Sequence, residues 1–310
     1  MARDMTRRDR IILGAIYLLF RVLGALSEPS REAVAQRLGR LLFRLDRKHR
    51  RIAMDNLNRA FGTVWSQDAI RRCAQAVFVN MFRIVLEVAW AVQTPPAQMV
   101  KRFKLYGLHH LTAARRKGRG TLVLTGHFGL WELLPQAAGL FDVPVSVVYR
   151  PLDFPPLDRF FHEFRTRFGA QMVSSSGAVR EVVQRLRRQE NVTLLMDQNV
   201  DWYEGVFVDF FGHRACSNKS LALLAMRTGA PVVPVYLSRE PGGGFRVDIA
   251  PEVPTLRSGD KQRDVEENTL AYNRVLESFI RQRPDQWFWV HQRWKTRPHC
   301  PWPRGDWHGA

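Results

Sequence analysis

Residues 121–135 read TLVLTGHFGLWELLP, and this stretch decides the fold because its character changes at a glycine. The run TLVLT has the continuous apolar, β-branched composition of a buried strand. The run WELLPQAAGL that follows is typical of a short helix. His127 and Glu132 therefore lie on either side of a turn that joins a strand to a helix.

The same alternation continues downstream of about residue 104. Short apolar runs at 143–150, 192–198 and 231–238 are separated by helical stretches such as SGAVREVVQRLRRQ and SLALLAMRTG. Near-continuous apolar strands between helices indicate a sheet that is covered on both faces. We therefore expect an α/β fold with a central, largely parallel sheet flanked by helices.

Polar side chains follow three of the predicted strands. His127, Arg150 and Asp197 each come at or just beyond the end of an apolar run. Functional sites of parallel sheets lie at the carboxyl ends of the strands. We expect a site at this edge of the sheet.

The N-terminal segment has the composition of a membrane-associated helix. The basic leader MARDMTRRDR precedes an apolar stretch at 11–27 that only Arg21 interrupts. We expect an uncleaved helix over 1–27 that either spans the membrane or lies in its interface, with a cytoplasmic N-terminus. A buried amphipathic core helix is the alternative.

The remaining chain divides into three parts by periodicity. Residues 28–100 have apolar positions at helical spacing and predict a helical segment packed on the catalytic domain. The α/β domain is expected over 101–298, and 299–310 is expected to be a loose tail.

Charge and cysteine content restrict the partners. The 310-residue chain has 47 Lys and Arg against 29 Asp and Glu, a formal net charge of +18. Such a surface attracts polyanions, which include nucleic acid, anionic membranes, phosphorylated lipids and acidic proteins. Three widely spaced cysteines, Cys73, Cys216 and Cys300, indicate neither a disulfide framework nor a zinc site. We expect no metal and no redox cofactor.

The His127 and Glu132 pair suits general-base catalysis. A carboxylate bonded to one imidazole nitrogen fixes the tautomer and leaves the other nitrogen to accept a proton. No serine or cysteine lies in the motif, so the substrate has to supply the hydroxyl. Gly126 and Gly129 allow a tight turn and a close approach of substrate. The alternative is a structural loop histidine beside a glutamate that begins a helix.

Four sequence blocks carry a resemblance to a known family. GHFGLWE at 126–132 resembles the His-x4-Asp/Glu block of the lysophospholipid acyltransferase superfamily, in the branch of the late lauroyl and myristoyl acyltransferases of lipid A biosynthesis. VVYRPLDFPPLDRFF at 147–161 is similar to the second block of that branch. Residues 196–236 resemble its third and fourth blocks in order and spacing. The resemblance implies a glycerol-3-phosphate acyltransferase-like fold.

The resemblance also implies an activity. His127 would deprotonate an acceptor hydroxyl while Glu132 orients it, and the oxygen would attack an acyl thioester of acyl carrier protein or CoA. Backbone amides of the turn or Arg150 would stabilise the developing charge, and Arg150 could instead contact an acceptor phosphate. Asp197 and Gln198 would shape the site, and Lys219 could bind phosphate at a helix N-terminus. The alternatives are a structural ion pair for Arg150, a structural cap at the end of a strand for Asp197 and Gln198, and a solvated surface lysine for Lys219.

The implied partners are an acyl carrier protein or CoA thioester, a phosphorylated glycolipid acceptor and an anionic membrane, at the cytoplasmic face of the bacterial inner membrane. A lipid A precursor is the expected acceptor, and another glycolipid such as a phosphatidylinositol mannoside is the alternative. A basic, non-enzymatic protein that binds nucleic acid or membrane would leave the His127 block unexplained, so we expect no nucleic acid partner. A hydrolase using the same pair is a further possibility. The aromatic run QWFWVHQRWKTRP at 286–298 suits a membrane interface or the closing of the domain.

Overall fold

Helices come first along the chain, and alternating strands and helices follow. The computed structural model describes residues 5–297, so the tail predicted at 299–310 lies outside the described residues. The helices are α1 Arg7–Gly24, α2 Glu28–Leu45, α3 Arg47–Phe61, α4 Gln67–Gln93, α5 Pro96–Val100, α6 Leu108–Arg115, α7 Leu134–Leu140, α8 Pro155–Thr166, α9 Ala178–Arg187, α10 Ser220–Thr228 and α11 Lys261–Gln282. The strands are β1 Phe103–Tyr106, β2 Thr121–Thr125, β3 Val145–Tyr149, β4 Gln171–Ser174, β5 Asn191–Leu195, β6 Gly205–Phe210, β7 His213–Asn218, β8 Val232–Arg239 and β9 Phe245–Ile249.

The central sheet has seven strands in the order β1-β9-β8-β2-β5-β3-β4. Strands β8, β2, β5, β3 and β4 are parallel, whereas β9 pairs antiparallel with β8 and carries β1 parallel to itself. The predicted α/β fold with a largely parallel sheet is confirmed, and the four apolar runs are β2, β3, β5 and β8. The sequence did not predict β1, β4, β9 or the separate β6–β7 hairpin.

Each face of the sheet packs against its own set of helices. All five residues of β2 are buried, as the continuous apolar run requires. On one face, Val233 of β8 lies in a core with residues of α1, α4, α7 and α8. On the other face, Leu122 and Leu194 pack with residues of α9, α10 and α11.

The N-terminal helix α1 packs along one side against the body. Phe20 is buried with its ring 4.4 Å from that of Phe160 on α8, and the Tyr17 hydroxyl donates a hydrogen bond to Glu163. The opposite side of α1 exposes large apolar side chains, including Leu18 and Leu19. The helix is thus neither free of the body nor fully buried.

One described helix has the length and composition of a membrane span. This is α4, whose most apolar 18-residue window has a mean hydropathy of 1.5 and is 50% buried in the fold. Helices α1 and α2 reach the same criterion only as a pair bent by 114°. Because α1, α2 and α3 all pack on α4, α4 serves as the core of the helical segment.

Helix α2 approaches α4 closely because a glycine lies at the contact. Gly39 is buried, and a Cβ at this position would lie 2.5 Å from the Cα of Val79 in α4. Backbone atoms cannot move aside as a flexible side chain can, so the contact tolerates no larger residue. In contrast, Gly14 in α1 is exposed and has nothing within 4 Å of an added Cβ.

Gly39→Ala is therefore expected to lower the free energy of unfolding by about 1–3 kcal/mol, because the added methyl group overpacks the α2–α4 contact. Gly14→Ala is the matched control and should raise it by roughly 0.5–1 kcal/mol, since alanine is the better helix former. Chemical unfolding of the detergent-solubilised proteins measures both. Equal stabilities of the two variants would contradict the close contact.

Candidate active site

His127 and Asp197 form a buried hydrogen-bonded pair at the carboxyl edge of the sheet. Strands β2 and β5 are adjacent and in register, with Thr125 opposite Leu195, so the two residues that lie two positions further on also meet. Asp197 Oδ1 lies 2.9 Å from His127 Nδ1, and Asp197 Oδ2 accepts the backbone N–H of His127 at 2.8 Å. The Asp197 side chain is 1% exposed and that of His127 is 23% exposed. The second imidazole nitrogen, Nε2, is left for a substrate.

Three N–H groups converge on the Asp197 carboxylate. Besides the two from His127, the buried indole of Trp287 donates to Oδ2 at 2.9 Å. Burial opposes the ionised form, but the charge of His127 and these hydrogen bonds outweigh it and lower the pKa of Asp197 to about 2. Burial likewise opposes protonation of His127, yet Asp197 and, more weakly, the Glu132 charge raise its pKa above the ordinary value. Asp197 is thus a permanent anion that makes the imidazole a stronger base.

Glu132 is engaged elsewhere. Its carboxylate accepts a bidentate pair of hydrogen bonds from Arg165 of α8, at 2.8 and 2.7 Å, and one from the Trp131 indole at 3.1 Å. The prediction that Glu132 holds the imidazole of His127 is therefore wrong for this structure. Residues Trp131–Leu133 form a 3-10 turn that directs Glu132 towards α8, while the register of β5 supplies Asp197 instead. Glu132 acts on His127 only through its charge.

The predicted glycines fit the turn. A Cβ on Gly126 would lie 2.9 Å from the Asp197 carboxyl carbon, so a side chain there would displace the carboxylate. Gly129 has φ = +60°, and a Cβ there would lie 1.8 Å from the carbonyl oxygen of Leu237. Both positions require glycine because of close backbone approach.

Backbone amides of the turn are already paired. The N–H groups of residues 127–130 donate to Asp197, Gly126, Gln286 and Leu237, in chain order. These four amides are therefore not free to stabilise a developing oxyanion. Any donor from the turn would have to come from another of its amides.

The other predicted site residues lie around one cavity. Gln198 places its side-chain nitrogen 3.5 Å from His127 Nε2. Arg150 lies on the rim, with a side chain that is 77% exposed and paired with Asp153. Lys219 precedes α10 and donates to the carbonyl of Tyr203 at 2.8 Å. All three line the cavity that holds His127, but only Gln198 lies close to the imidazole.

The cavity measures about 1300 Å³ and has mainly apolar walls. The apolar part of its wall includes Leu111 of α6, Ala137 of α7 and the strand residues Val123, Val247 and Ile249. His127, Glu132 and Arg165 line the same cavity. Ligand pockets for one small molecule measure about 300–1,000 Å³, so this cavity can hold larger, partly aliphatic substrates.

Buried tryptophans of the aromatic run, within residues 286–297, pack against this site. Trp287 and Trp289 are 1% and 0% exposed, so the expectation that these tryptophans lie in a membrane interface is wrong and the closing of the domain is the correct alternative. The segment pairs with the turn, since the Phe288 N–H donates to the carbonyl of His127 at 3.1 Å. Buried His291 accepts the Asn199 N–H at 3.1 Å, and burial lowers its pKa to about 4. The C-terminal segment therefore fixes both loops that carry the pair.

Sequence reasoning missed Arg165 and Trp287 as site residues. Arg165 follows Phe161 and Phe164 on α8, and a cation one turn after an apolar position is too common to signal a site. Trp287 lies 90 residues from Asp197, and only the three-dimensional fold brings them together. Asp197 was identified, but not its bond to His127.

Comparisons with known proteins identify the family of the chain. A sequence profile described as bacterial lipid A biosynthesis acyltransferase matches residues 2–296. The chain is 27% identical to the lipid A biosynthesis lauroyltransferase of Escherichia coli strain K12 over 266 residues, 84% of each protein. It is 24% identical to a lipid A biosynthesis acyltransferase of Haemophilus influenzae over 292 residues, 93% of this chain and 88% of that protein. It is 29% identical to the phosphatidylinositol mannoside acyltransferase of Mycolicibacterium smegmatis over 195 residues, 60% of each.

The profile covers nearly the whole chain and includes every residue of the His127 site. The similarity to several acyltransferases extends over helices, sheet and C-terminal segment alike. The chain therefore belongs to the bacterial lipid A biosynthesis acyltransferase family and is an O-acyltransferase.

Proposed function

We propose that this enzyme transfers a fatty acyl chain from an acyl thioester to a hydroxyl of a lipid A precursor, at the cytoplasmic face of the bacterial inner membrane. The observation that carries the proposal is the His127–Asp197 pair in the wall of a large, mainly apolar cavity. An aliphatic chain fits against the apolar part of the cavity wall. The imidazole nitrogen Nε2 of His127 is available to a substrate hydroxyl in the same cavity. The thioester is a co-substrate, and the mechanism uses no metal or redox cofactor.

His127 acts as the general base. Nε2 takes the proton of the acceptor hydroxyl as its oxygen bonds to the thioester carbonyl carbon, and Asp197 stabilises the imidazolium that forms. The tetrahedral intermediate then collapses, the C–S bond breaks, and the leaving thiolate receives the proton from His127. The products are an ester and a free thiol, so atoms and charge balance.

Gln198 is the donor best placed for the oxyanion. Its side-chain amide lies 3.5 Å from His127 Nε2 and has no other protein partner among the described residues. The amides of residues 127–130 are occupied, and Arg150 lies at the exposed rim. A side-chain amide that faces the reacting nitrogen can donate to the carbonyl oxygen as it becomes negative.

Cations at the rim are suited to the acceptor. Arg150 and Lys219 line the cavity from different loops and can contact phosphate groups of a glycolipid. The Glu132–Arg165 pair lines the same cavity and is neutralised internally, so it shapes the cavity wall. The Glu132 charge raises the pKa of His127, and the Arg165 charge opposes this effect.

A second candidate acceptor is a phosphatidylinositol mannoside. The 29% identity to the Mycolicibacterium smegmatis acyltransferase over 195 residues favours it as an alternative. Both acceptors are phosphorylated glycolipids with a free hydroxyl, and the proposed chemistry is the same.

Helix α1 is suited to lie in the membrane interface. Its exposed side has apolar residues at helical spacing, Ile11, Leu18, Leu19 and Val22, which are 54–68% exposed. Arginines flank this stripe and can contact anionic headgroups. Because the opposite side of α1 is fixed to α8, the membrane would hold the catalytic body at a constant orientation.

The first experiment supplies wild-type and His127→Ala enzymes with acyl-carrier-protein thioesters and a tetra-acylated lipid A precursor. Mass spectrometry should find a product heavier by one acyl chain with the wild type. The variant should be slower by about 10²–10⁴-fold, the usual contribution of a general base. If the wild type gives no product while a control enzyme does, the lipid A assignment is wrong. Phosphatidylinositol mannoside and CoA thioesters then test the alternative.

The pH dependence of kcat/KM identifies the carboxylate that holds the imidazole. Only neutral His127 accepts a proton, so the rate rises with pH through the raised pKa of His127. Asp197→Asn removes the main cause of the raised His127 pKa. The activity of this variant should therefore fall, and the acidic limb of its pH–rate profile should move to lower pH. Glu132→Gln removes a smaller contribution and should shift the limb less. A larger shift for Glu132→Gln would instead assign the imidazole to Glu132.

Charge placed on the exposed side of α1 should weaken membrane binding. Leu18→Glu/Val22→Glu leaves the packed side of α1 unchanged and is expected to weaken binding to anionic vesicles by about 100-fold or more, since each buried apolar side chain contributes roughly 1.5–3 kcal/mol. Leu45→Glu/Val64→Glu, at residues 69% and 73% exposed near the ends of α2 and α3, is the matched control in a cosedimentation assay. Unchanged binding of the α1 variant would place the anchor elsewhere.

A further inference from the structure

A basic groove runs along α9 on the surface of the α/β domain. It is lined by Gly177, Val179, Arg180, Val183, Gln184, Arg187 and Arg227, the last from the final turn of α10. The side chains of Arg180, Arg187 and Arg227 are exposed. The groove therefore combines three cations with an apolar floor of two valines.

These arginines have no acidic partner within residues 5–297. The two nearby carboxylates, Glu181 and Glu190, both pair with Arg185, at 2.7 and 3.0 Å. Arg185 thus neutralises the two nearby carboxylates. The three groove arginines keep an unpaired positive charge that can attract an external anionic ligand. Ion pairs at i, i+4 spacing stabilise a helix surface. On α9, among the described residues, Arg185 makes such a pair and Arg180 and Arg187 do not.

The groove adjoins the catalytic cavity. Val179, at the start of α9, lines both the groove and the cavity that contains His127. The three serines that precede α9, at 174–176, also line the cavity. A ligand in the groove can therefore extend a flexible arm into the active site.

The groove also lies on the side of the sheet away from α1. Val182 of α9 and Leu221 of α10 pack with Leu122 on one sheet face, whereas Phe160 of α8 packs with Phe20 of α1 on the other. A membrane that binds the exposed side of α1 does not reach the groove from that face. The ligand that fits is therefore soluble, acidic and large enough to span three arginines.

We propose that the α9 groove docks the acidic surface of the carrier protein that brings the acyl thioester. This inference rests on the proposed function, since it names the surface through which that donor is recognised. Docking positions the carrier beside Val179, so that its thioester-bearing arm passes over the serines into the cavity. Charge complementarity at such a rim mainly raises the association rate and selects the partner.

The test compares Arg180→Glu/Arg187→Glu with Arg37→Glu/Arg72→Glu, so that both variants lose the same charge. Arg37 on α2 and Arg72 on α4 are exposed, lie far along the chain from the groove and have no ion pair among the described residues. Direct titration of acylated carrier protein at low ionic strength measures Kd. The groove variant should bind about 10-fold more weakly or worse, and the control should bind like wild type. Added salt should reduce the difference, because screening weakens exposed charges.

Steady-state kinetics separate docking from chemistry. The groove variant should raise KM for the carrier thioester and keep kcat at saturation, because His127 and Asp197 are untouched. An unchanged Kd and KM in the groove variant would overturn the proposal. Weaker binding of the groove variant to anionic vesicles, with unchanged carrier binding, would also overturn it and would assign the groove to a membrane. Loss of transfer in the wild type, with carrier binding intact, would instead refute the proposed function.

Discussion

The burial of one ionised carboxylate determines how the catalytic end of the sheet is built. Asp197 is 1% exposed, and an uncompensated charge at such depth costs several kcal/mol. Three N–H donors from the imidazole, the turn backbone and Trp287 compensate it. These donors belong to the loop after β2 and to the C-terminal segment, so the carboxylate on the loop after β5 joins three distant parts of the chain. Loss of any donor would leave a buried charge short of partners.

Helix α8 connects the N-terminal helix α1 to the cavity that contains His127. On one side it receives Phe20 and Tyr17 of α1, and on another it presents Arg165 to Glu132. Both contacts lie within three turns of one short helix. The position of α1 is therefore coupled mechanically to the wall of the cavity, and an interfacial α1 would set the depth at which the cavity opens relative to the lipid.

The sequence predicts the fold better than the contacts of the site. Apolar runs identify β2, β3, β5 and β8 because parallel strands covered on both faces leave no polar alternation. The β6–β7 hairpin escapes detection since its strands carry polar residues such as Asp209 and Arg214. The carboxyl-end rule places His127 and Asp197 at the correct edge. This rule does not show that β2 and β5 are neighbours. The sequence analysis therefore assigns Glu132, the nearer residue along the chain, to the imidazole of His127. Arg165 and Trp287 depend on long-range packing that periodicity does not encode.

The contact between the turn and the C-terminal segment has a consequence for biosynthesis of the enzyme. The backbone of His127 pairs with Phe288, some 160 residues later, and Trp287 reaches Asp197 from the same segment. Chains emerge from the ribosome N-terminus first, and early domains fold before later ones are made. The helical segment and α1 can therefore fold while the His127–Asp197 pair still lacks its support from the C-terminal segment. The pair would be held in place only as translation nears completion.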